Sequence, residues 1–318
     1  MDQIYTNLKK YGKVKINESL AKHTTFKFGG SVKYFILIDK TDKLIKVLQF
    51  LREENVEFII LGGGSNVLWG DETFDGVVIK IANQEIKLLE NNVLLVDAGC
   101  VTVAVARESV KLGLTGFEWG IGIPGTIGGA VHGNAGAMGG DMSTNLLKVE
   151  VFRQGEILEL NNKECEFVYR DSAFKHNNDV VLRVWLQLQK STIKSKDLMK
   201  KALENIQYRN STQPQGFASS GCIFKNVSVE KWKKENGEDI PELFVGKLVI
   251  SAGWMIEQSG AKGDKVGQAQ VSEKHGNFII NLGGATFVDV KNLIEEIKEK
   301  VYNKFKINLE EEVQEIDL

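Results

Sequence analysis

The chain has 318 residues, enough for two or three packed units and a sizeable buried core. Lys+Arg 40 against Asp+Glu 42 leaves a net charge of -2, which excludes a global basic field that would draw it to nucleic acid or an anionic membrane. An anionic ligand must therefore be held by local groups. Cys100, Cys165 and Cys222 stand far apart with no Cys-x-x-Cys pair, which argues against a zinc or dithiol site and fits a reducing compartment.

Along the chain, residues 1–18 mix Lys9, Lys10, Lys13 and Lys15 with polar residues and offer no apolar stretch of the secretory kind. No apolar run is long enough to span a bilayer, so a cytoplasmic protein without membrane or nucleic-acid partners is expected. Strand-like runs are predicted over 34–38, 58–61, 77–81, 93–96, 149–152 and 180–188. Helices alternate with them. One is predicted over 42–53, with Leu44, Ile45, Leu48 and Leu51 on one face, and another over 101–112 with Gly113 as its C-cap. A helix over 196–208 is followed by a loop rich in Ser, Gln and Gly at 211–221, where a domain boundary is expected. Val290, Leu293, Ile294, Ile297, Val301 and Phe305 keep helical spacing, and residues 307–316 turn extended and acidic.

Two glycine-dense phrases carry chemical information. The run 58–61 leads from Leu61 into Gly62, Gly63 and Gly64, then Ser65 and Asn66. Three successive residues without Cβ let backbone N–H groups converge on one anion, as in pyrophosphate nests, although a plain turn is an equally common reading of a glycine-rich strand end. The lysine and spacing of a Walker loop are missing. The second phrase contains Gly122, Ile123, Pro124, Gly125, Thr126 and Gly129, and continues through Gly133, Asn134 and Gly136. Its formal Gly-x-Gly-x-x-Gly match at 120–125 is read as a decoy, because no β-run precedes it and Pro124-Gly125 reads as a turn rather than the opening of a dinucleotide-binding helix. So many small residues still let a flat cofactor lie against backbone.

Three polar residues stand out less. Arg170, in Tyr-Arg-Asp-Ser after Phe167-Val168, has the planar fork suited to a carboxylate, though a surface arginine paired with Asp171 is the commoner reading. Cys222 follows Gly221 and precedes Lys225 and Asn226; a thiol, with a reference pKa of about 8.5, gives up a proton near neutrality more readily than a hydroxyl, while most lone cysteines are small buried hydrophobes. In 309–313, a strand would place Leu309, Glu311 and Val313 on one face and Glu310 and Glu312 on the other, although a charge run is usually a solvated surface.

Together these phrases resemble the UDP-N-acetylenolpyruvoylglucosamine reductases (UDP-N-acetylmuramate dehydrogenases). The resemblance runs from His23-Thr24-Thr25-Phe26, with Gly29-Gly30, through 61–68, 122–136 and 167–175. It continues through Gly260-Ala261-Lys262-Gly263, Gly267, Val271-Ser272, His275, Asn277 and Phe278 to 309–313. It implies an α+β fold: two FAD-binding subdomains of the vanillyl-alcohol-oxidase type at 1–83 and 84–208, a substrate-binding domain at 209–305, and a tail at 306–318 that returns to the FAD side. It also implies non-covalent FAD held by residues 62–66 and 122–126, with Leu61 and Gly129 beside them, and NADPH as co-substrate; separately, a monomer is expected.

The implied reaction is hydride transfer from NADPH to FAD and then to the alkene of UDP-N-acetylglucosamine enolpyruvate. Arg170 and Glu312, the latter protonated or sharing a proton, would stabilise the enediolate, and position 222 would protonate the neighbouring carbon. Much of the family has serine where this chain has Cys222, and proline where it has Val227. The short passage from Tyr169 to Val180 leaves no room for the long tyrosine-bearing loop of some members, so the resemblance is to the shorter subtype. Lys225, Asn226 and Lys262 are candidates for the nucleotide-sugar phosphates. Rival readings are an FAD-dependent oxidase of the same fold and a catalytically silent FAD-binding protein.

Overall fold

The computed structural model describes residues 2–317. Contacts divide the chain into two units that interleave along the sequence. The first holds the segments up to Glu18, Val32–Gly63 and Phe74–Arg209; the second holds Ser19–Ser31, Gly64–Thr73 and the chain from Asn210 onward.

The first unit contains two sheets. In one, strands Lys13–Ser19, Ser31–Ile38, Phe74–Ile81 and Phe58–Leu61 lie in that spatial order. Phe74–Ile81 pairs in parallel with both neighbours, setting Val77 opposite Tyr34 and Phe58. Its centre is an unbroken apolar run, and Val77, Val78 and Ile79 are fully buried, as a strand covered on both faces requires. Helix Thr41–Glu53 buries Leu44, Val47, Leu48 and Leu51, so Val47 rather than the expected Ile45 completes its core stripe. Parallel pairing sends Phe58–Leu61 out at the carboxyl end of this sheet, the end at which open α/β sheets bind ligands.

The other sheet is antiparallel, ordered Glu156–Asn161, Leu146–Arg153, Val180–Gln187, Val93–Asp97, Ile86–Leu88. Its alternation is visible in Leu146–Arg153: Val149 and Val151 are buried, whereas Lys148 and Glu150 pair on the opposite face with Glu159 and Arg183. Helix Thr102–Lys111 ends before Gly113, whose φ of +71° supplies the left-handed exit that a side chain would resist. Helix Ser195–Thr212 is longer at its C-terminal end than the predicted 196–208.

The second unit is organised by helix Phe287–Phe305. A reciprocal cap between Thr286 and Asp289 starts it, and Val290, Leu293, Ile294, Ile297 and Val301 form its buried stripe. It packs on helix Ala252–Gln258 and on the antiparallel strands Lys265–Val266 and Ala269–Val271, the second of which pairs with Ile279–Asn281. Asn281 ties the unit together: its Nδ2 donates to the Phe26 carbonyl at 2.9 Å, and its Oδ1 accepts from the N–H groups of Gly283 and Ala285. The last strand, Gln314–Ile316, pairs in parallel with Val67–Trp69, the strand that follows the first glycine run. Among the described residues no helix is long and apolar enough to cross a membrane.

Candidate active site

In the first unit the two glycine phrases meet. A Cβ on Gly63 would lie 2.5 Å from Gly125 Cα, and one on Gly62 would lie 2.6 Å from Thr126 Oγ1, so only glycine permits this approach. The Gly125 turn is itself held from behind: its carbonyl accepts from Thr102 N–H at 3.1 Å, while Ile127 N–H donates to Cys100 and Gly128 N–H to Ala98. Among the described residues, the N–H groups of Gly63, Gly125 and Thr126 have no protein acceptor. Donors left open beside a wall of glycine backbone suit a pyrophosphate, so the residues present fit the FAD that the sequence resemblance implies. Lys80, opposite Leu61 on the adjoining strand, adds a cation at this end of the sheet, and burial lowers its ammonium pKa.

The phrase around 120–125 differs from the sequence reading in one respect. A 3-10 turn, Glu118–Gly122, precedes it instead of a strand, as expected of a decoy, yet a helix does open after Pro124-Gly125, at Ile127–His132 with Thr126 Oγ1 accepting from Gly129 N–H. Ile123 is partly buried against the first unit's core, and Gly122 makes room for the Arg209 side chain, whose Cδ would lie 2.5 Å from a Cβ there.

Arg170, also in the first unit, sits at the tip of a tight turn closed by two backbone bonds between Val168 and Asp171. Its φ is +57°, a left-handed conformation that costs a branched or long side chain about 1 kcal/mol, and Lys175 Nζ braces it by donating to the Arg170 carbonyl at 2.7 Å. The guanidinium donates to the Gly136 carbonyl at 2.6 Å and lies over the Tyr169 ring. Asp171 pairs with His176 rather than with the arginine. Burial alone would raise the Asp171 carboxyl, but His176 and the Ser172 N–H outweigh it and leave its pKa lowered. Asn134, with φ +41°, secures the same turn through its Nδ2 to the Val168 carbonyl.

In the second unit, Gly64 has φ +67° and its carbonyl accepts from Thr25 N–H; a Cβ there would meet the His23 carbonyl at 2.1 Å. Ser65 follows in the bend, and Asn66 bonds twice to the tail: its Nδ2 donates to the Glu312 carbonyl and its carbonyl accepts from Gln314 N–H, both at 3.1 Å. The structure also brings Cys222 and Glu312 onto neighbouring extended segments, for Glu312 N–H donates to the Ile223 carbonyl at 2.7 Å and Lys225 N–H to the Glu310 carbonyl at 2.8 Å. Cys222 is partly exposed, and Cys100 and Cys165 are buried, their thiols pushed up to about 12 chiefly by burial. Glu311 turns to Lys298, at 2.6 Å, and Glu310 to Lys231, also at 2.6 Å.

Of the phosphate candidates, Lys262 pairs with Glu257 at 2.8 Å, Asn226 Oδ1 accepts from Ala252 N–H at the start of helix Ala252–Gln258, and Lys225 is partly exposed. Sequence reasoning missed the bracing roles of Lys175 and Asn134. Their partners are backbone groups, which no side-chain motif reveals. Among the described residues, no three His, Cys, Asp or Glu gather to hold a metal.

The paired sheets and the open N–H cluster define an FAD-binding protein, and residues 32–161 match the family model described as FAD binding domain. Residues 213–316 match a second model, UDP-N-acetylenolpyruvoylglucosamine reductase, C-terminal domain. The chain is 38% identical over 306 residues to the UDP-N-acetylenolpyruvoylglucosamine reductase of Caldanaerobacter subterraneus subsp. tengcongensis, covering 96% of this chain and 94% of that one. It is 36% identical over 319 residues to the Bacillus subtilis enzyme, covering 99% and 98%. The crystal structure of the Thermus caldophilus reductase superposes with a TM-score of 0.77 at 31% identity, over 96% of this chain and all of that one. The chain belongs to the UDP-N-acetylenolpyruvoylglucosamine reductase family.

Proposed function

We infer that this chain reduces the enolpyruvyl ether of UDP-N-acetylglucosamine to UDP-N-acetylmuramate, with NADPH as the source of reducing equivalents, in the making of peptidoglycan precursors. The observation that carries the reading is the 2.7 Å bond from Glu312 N–H to the Ile223 carbonyl, which sets a carboxyl group beside the segment that bears an ionisable thiol. FAD, when bound, supplies a hydride acceptor for NADPH and a hydride donor for the terminal carbon of the alkene.

The protein's own residues do the rest. The N–H groups of Gly63, Gly125 and Thr126 hold the pyrophosphate, with Leu61, Gly62, Gly64, Ser65, Asn66, Gly122, Ile123, Pro124 and Gly129 shaping the surrounding loops. As hydride arrives, the alkene's electron pair moves toward the carboxylate. Arg170 receives that charge with its fork, and Glu312 in its protonated form donates to the same group. Cys222 Sγ then delivers its proton to the carbon beside the carboxylate, and the thiolate recovers a proton from solvent. Lys225, Asn226 and Lys262 face the phosphates of the nucleotide sugar. We also place the enzyme in the cytoplasm as a monomer; its separated cysteines fit a reducing compartment.

The test is product formation. Purified protein reconstituted with FAD and given NADPH and the enolpyruvyl ether should yield the lactyl ether, which gains one hydride and one proton, by mass spectrometry. A protein that binds FAD and consumes NADPH only with oxygen as acceptor would contradict the reading.

A further inference from the structure

The segment Cys222–Phe224 is the middle member of a three-segment arrangement in the second unit. On one side lie Asn277 and Phe278, and on the other the tail from Glu310 to Val313. Ile223 N–H donates to the Asn277 carbonyl at 2.9 Å, and the Ile223 carbonyl accepts from Glu312 N–H at 2.7 Å and Val313 N–H at 3.3 Å. No regular strand holds this register; Cys222 and Phe278, and Phe224 and Glu311, form only isolated bridges. A side chain does the holding. Asn277 Oδ1 accepts from Phe224 N–H at 2.9 Å, and its Nδ2 donates to the Phe224 carbonyl at 2.8 Å, so one amide satisfies both backbone groups of one residue. The clamp is dry: Asn277 is 3% exposed and Phe224 1%.

A buried two-point clamp of this kind costs much more to break than a surface bond, because either lost partner strands a desolvated backbone group. Phe224 is also bridged to Glu311, so a shift of Phe224 displaces Cys222, two residues before it, and Glu312, the neighbour of Glu311. We propose that Asn277 is a positioning residue for proton delivery: its amide fixes the register in which Cys222 and Glu312 stand together. The proposal rests on the roles inferred above for those two residues.

The two half-reactions separate positioning from folding. In anaerobic single-turnover experiments, Asn277→Leu and the isosteric Asn277→Asp should take up FAD and be reduced by NADPH at near the unaltered rate. Reoxidation by the enolpyruvyl ether should slow by between about tenfold and about a hundredfold, the range expected when a reacting group is displaced by an ångström or less. Asn277→Asp has a further signature. An ionised carboxylate cannot donate to the Phe224 carbonyl, whereas the neutral acid both donates and accepts, and burial favours the neutral acid. Relative to unaltered enzyme at the same pH, its reoxidation should therefore recover as pH falls, and that of Asn277→Leu should not. Cys222→Ala serves as the reference. Slow reoxidation in Cys222→Ala beside normal reoxidation, within about twofold, in both Asn277 variants would overturn this inference alone. Normal reoxidation in Cys222→Ala would overturn the site reading and this inference together. If Asn277→Leu does not fold, the pH recovery of Asn277→Asp decides.

Discussion

A thiol can deliver a proton only while it carries one. With Cys222 as the donor, reoxidation by the enolpyruvyl ether should fall off on the alkaline side, and in Cys222→Ser, whose hydroxyl does not ionise in the accessible range, the thiol's share of that limb should vanish and leave only the loss of the Glu312 proton. A pH profile of the second half-reaction for the two proteins checks this; matching alkaline limbs would remove the thiol from the step. Arg170 makes a different kind of contribution. Its guanidinium keeps one N–H arm on the Gly136 carbonyl and so presents a fixed fork, which lysine cannot reproduce. Arg170→Lys should lower the rate of reoxidation by roughly a hundredfold while leaving flavin reduction by NADPH unchanged, a loss typical of removing one donor from a developing oxyanion. Stopped-flow comparison of the two half-reactions reads both quantities in one preparation.

At the scale of elements, the cofactor cradle depends on backbone meeting backbone. Gly63→Ala would drive a Cβ to 2.5 Å from Gly125 Cα, a contact that neither loop can relieve by rotating a side chain. The variant should lose most of its FAD on gel filtration, measured by the ratio of flavin to protein absorbance; full retention would mean that the two loops move apart freely. Helix Ile127–His132 offers a second test. Burial, followed by the charge of Lys175, lowers His132 from its usual value to about 4. Its neutral form is thus favoured in the folded protein, while the unfolded chain takes up a proton near 6.5. The stabilisation is complete above that unfolded value and is lost as pH falls from about 6.5 toward 4, by about 3 kcal/mol. Urea midpoints for His132→Gln should decline less over this window than those of the unaltered protein; parallel declines would contradict the assignment.

At the scale of the molecule, what could be read from sequence follows the range of the interactions. Helix Thr41–Glu53 and strand Phe58–Leu61 are carried by local periodicity and appear where periodicity places them. Helix Ile127–His132 does not announce itself, since it is six residues long with Gly128 and Gly129 inside it, and it is fixed by the carbonyls of Ala98 and Cys100 rather than by propensity. The interleaved second unit is less legible still. Asn66 meets Glu312 across 246 positions, and Asn277 meets Phe224 across 53, through backbone groups common to every residue. The glycines of the cradle were visible as a motif; the reason for them, an approach of two loops, was not. Arg170, Cys222 and Glu312 were visible as chemically apt residues, but their roles came only through the family resemblance, because single polar residues carry no periodicity.

In the reaction inferred above, this chain passes a hydride from NADPH through FAD to an enolpyruvyl ether. The measurement that meets it most directly is anaerobic stopped-flow absorbance of the flavin band in the purified, FAD-loaded protein. NADPH should bleach the band, and UDP-N-acetylglucosamine enolpyruvate, added without oxygen, should restore it in a single turnover with UDP-N-acetylmuramate as the product. A band that bleaches with NADPH and stays bleached when the enolpyruvyl ether is added would contradict this function.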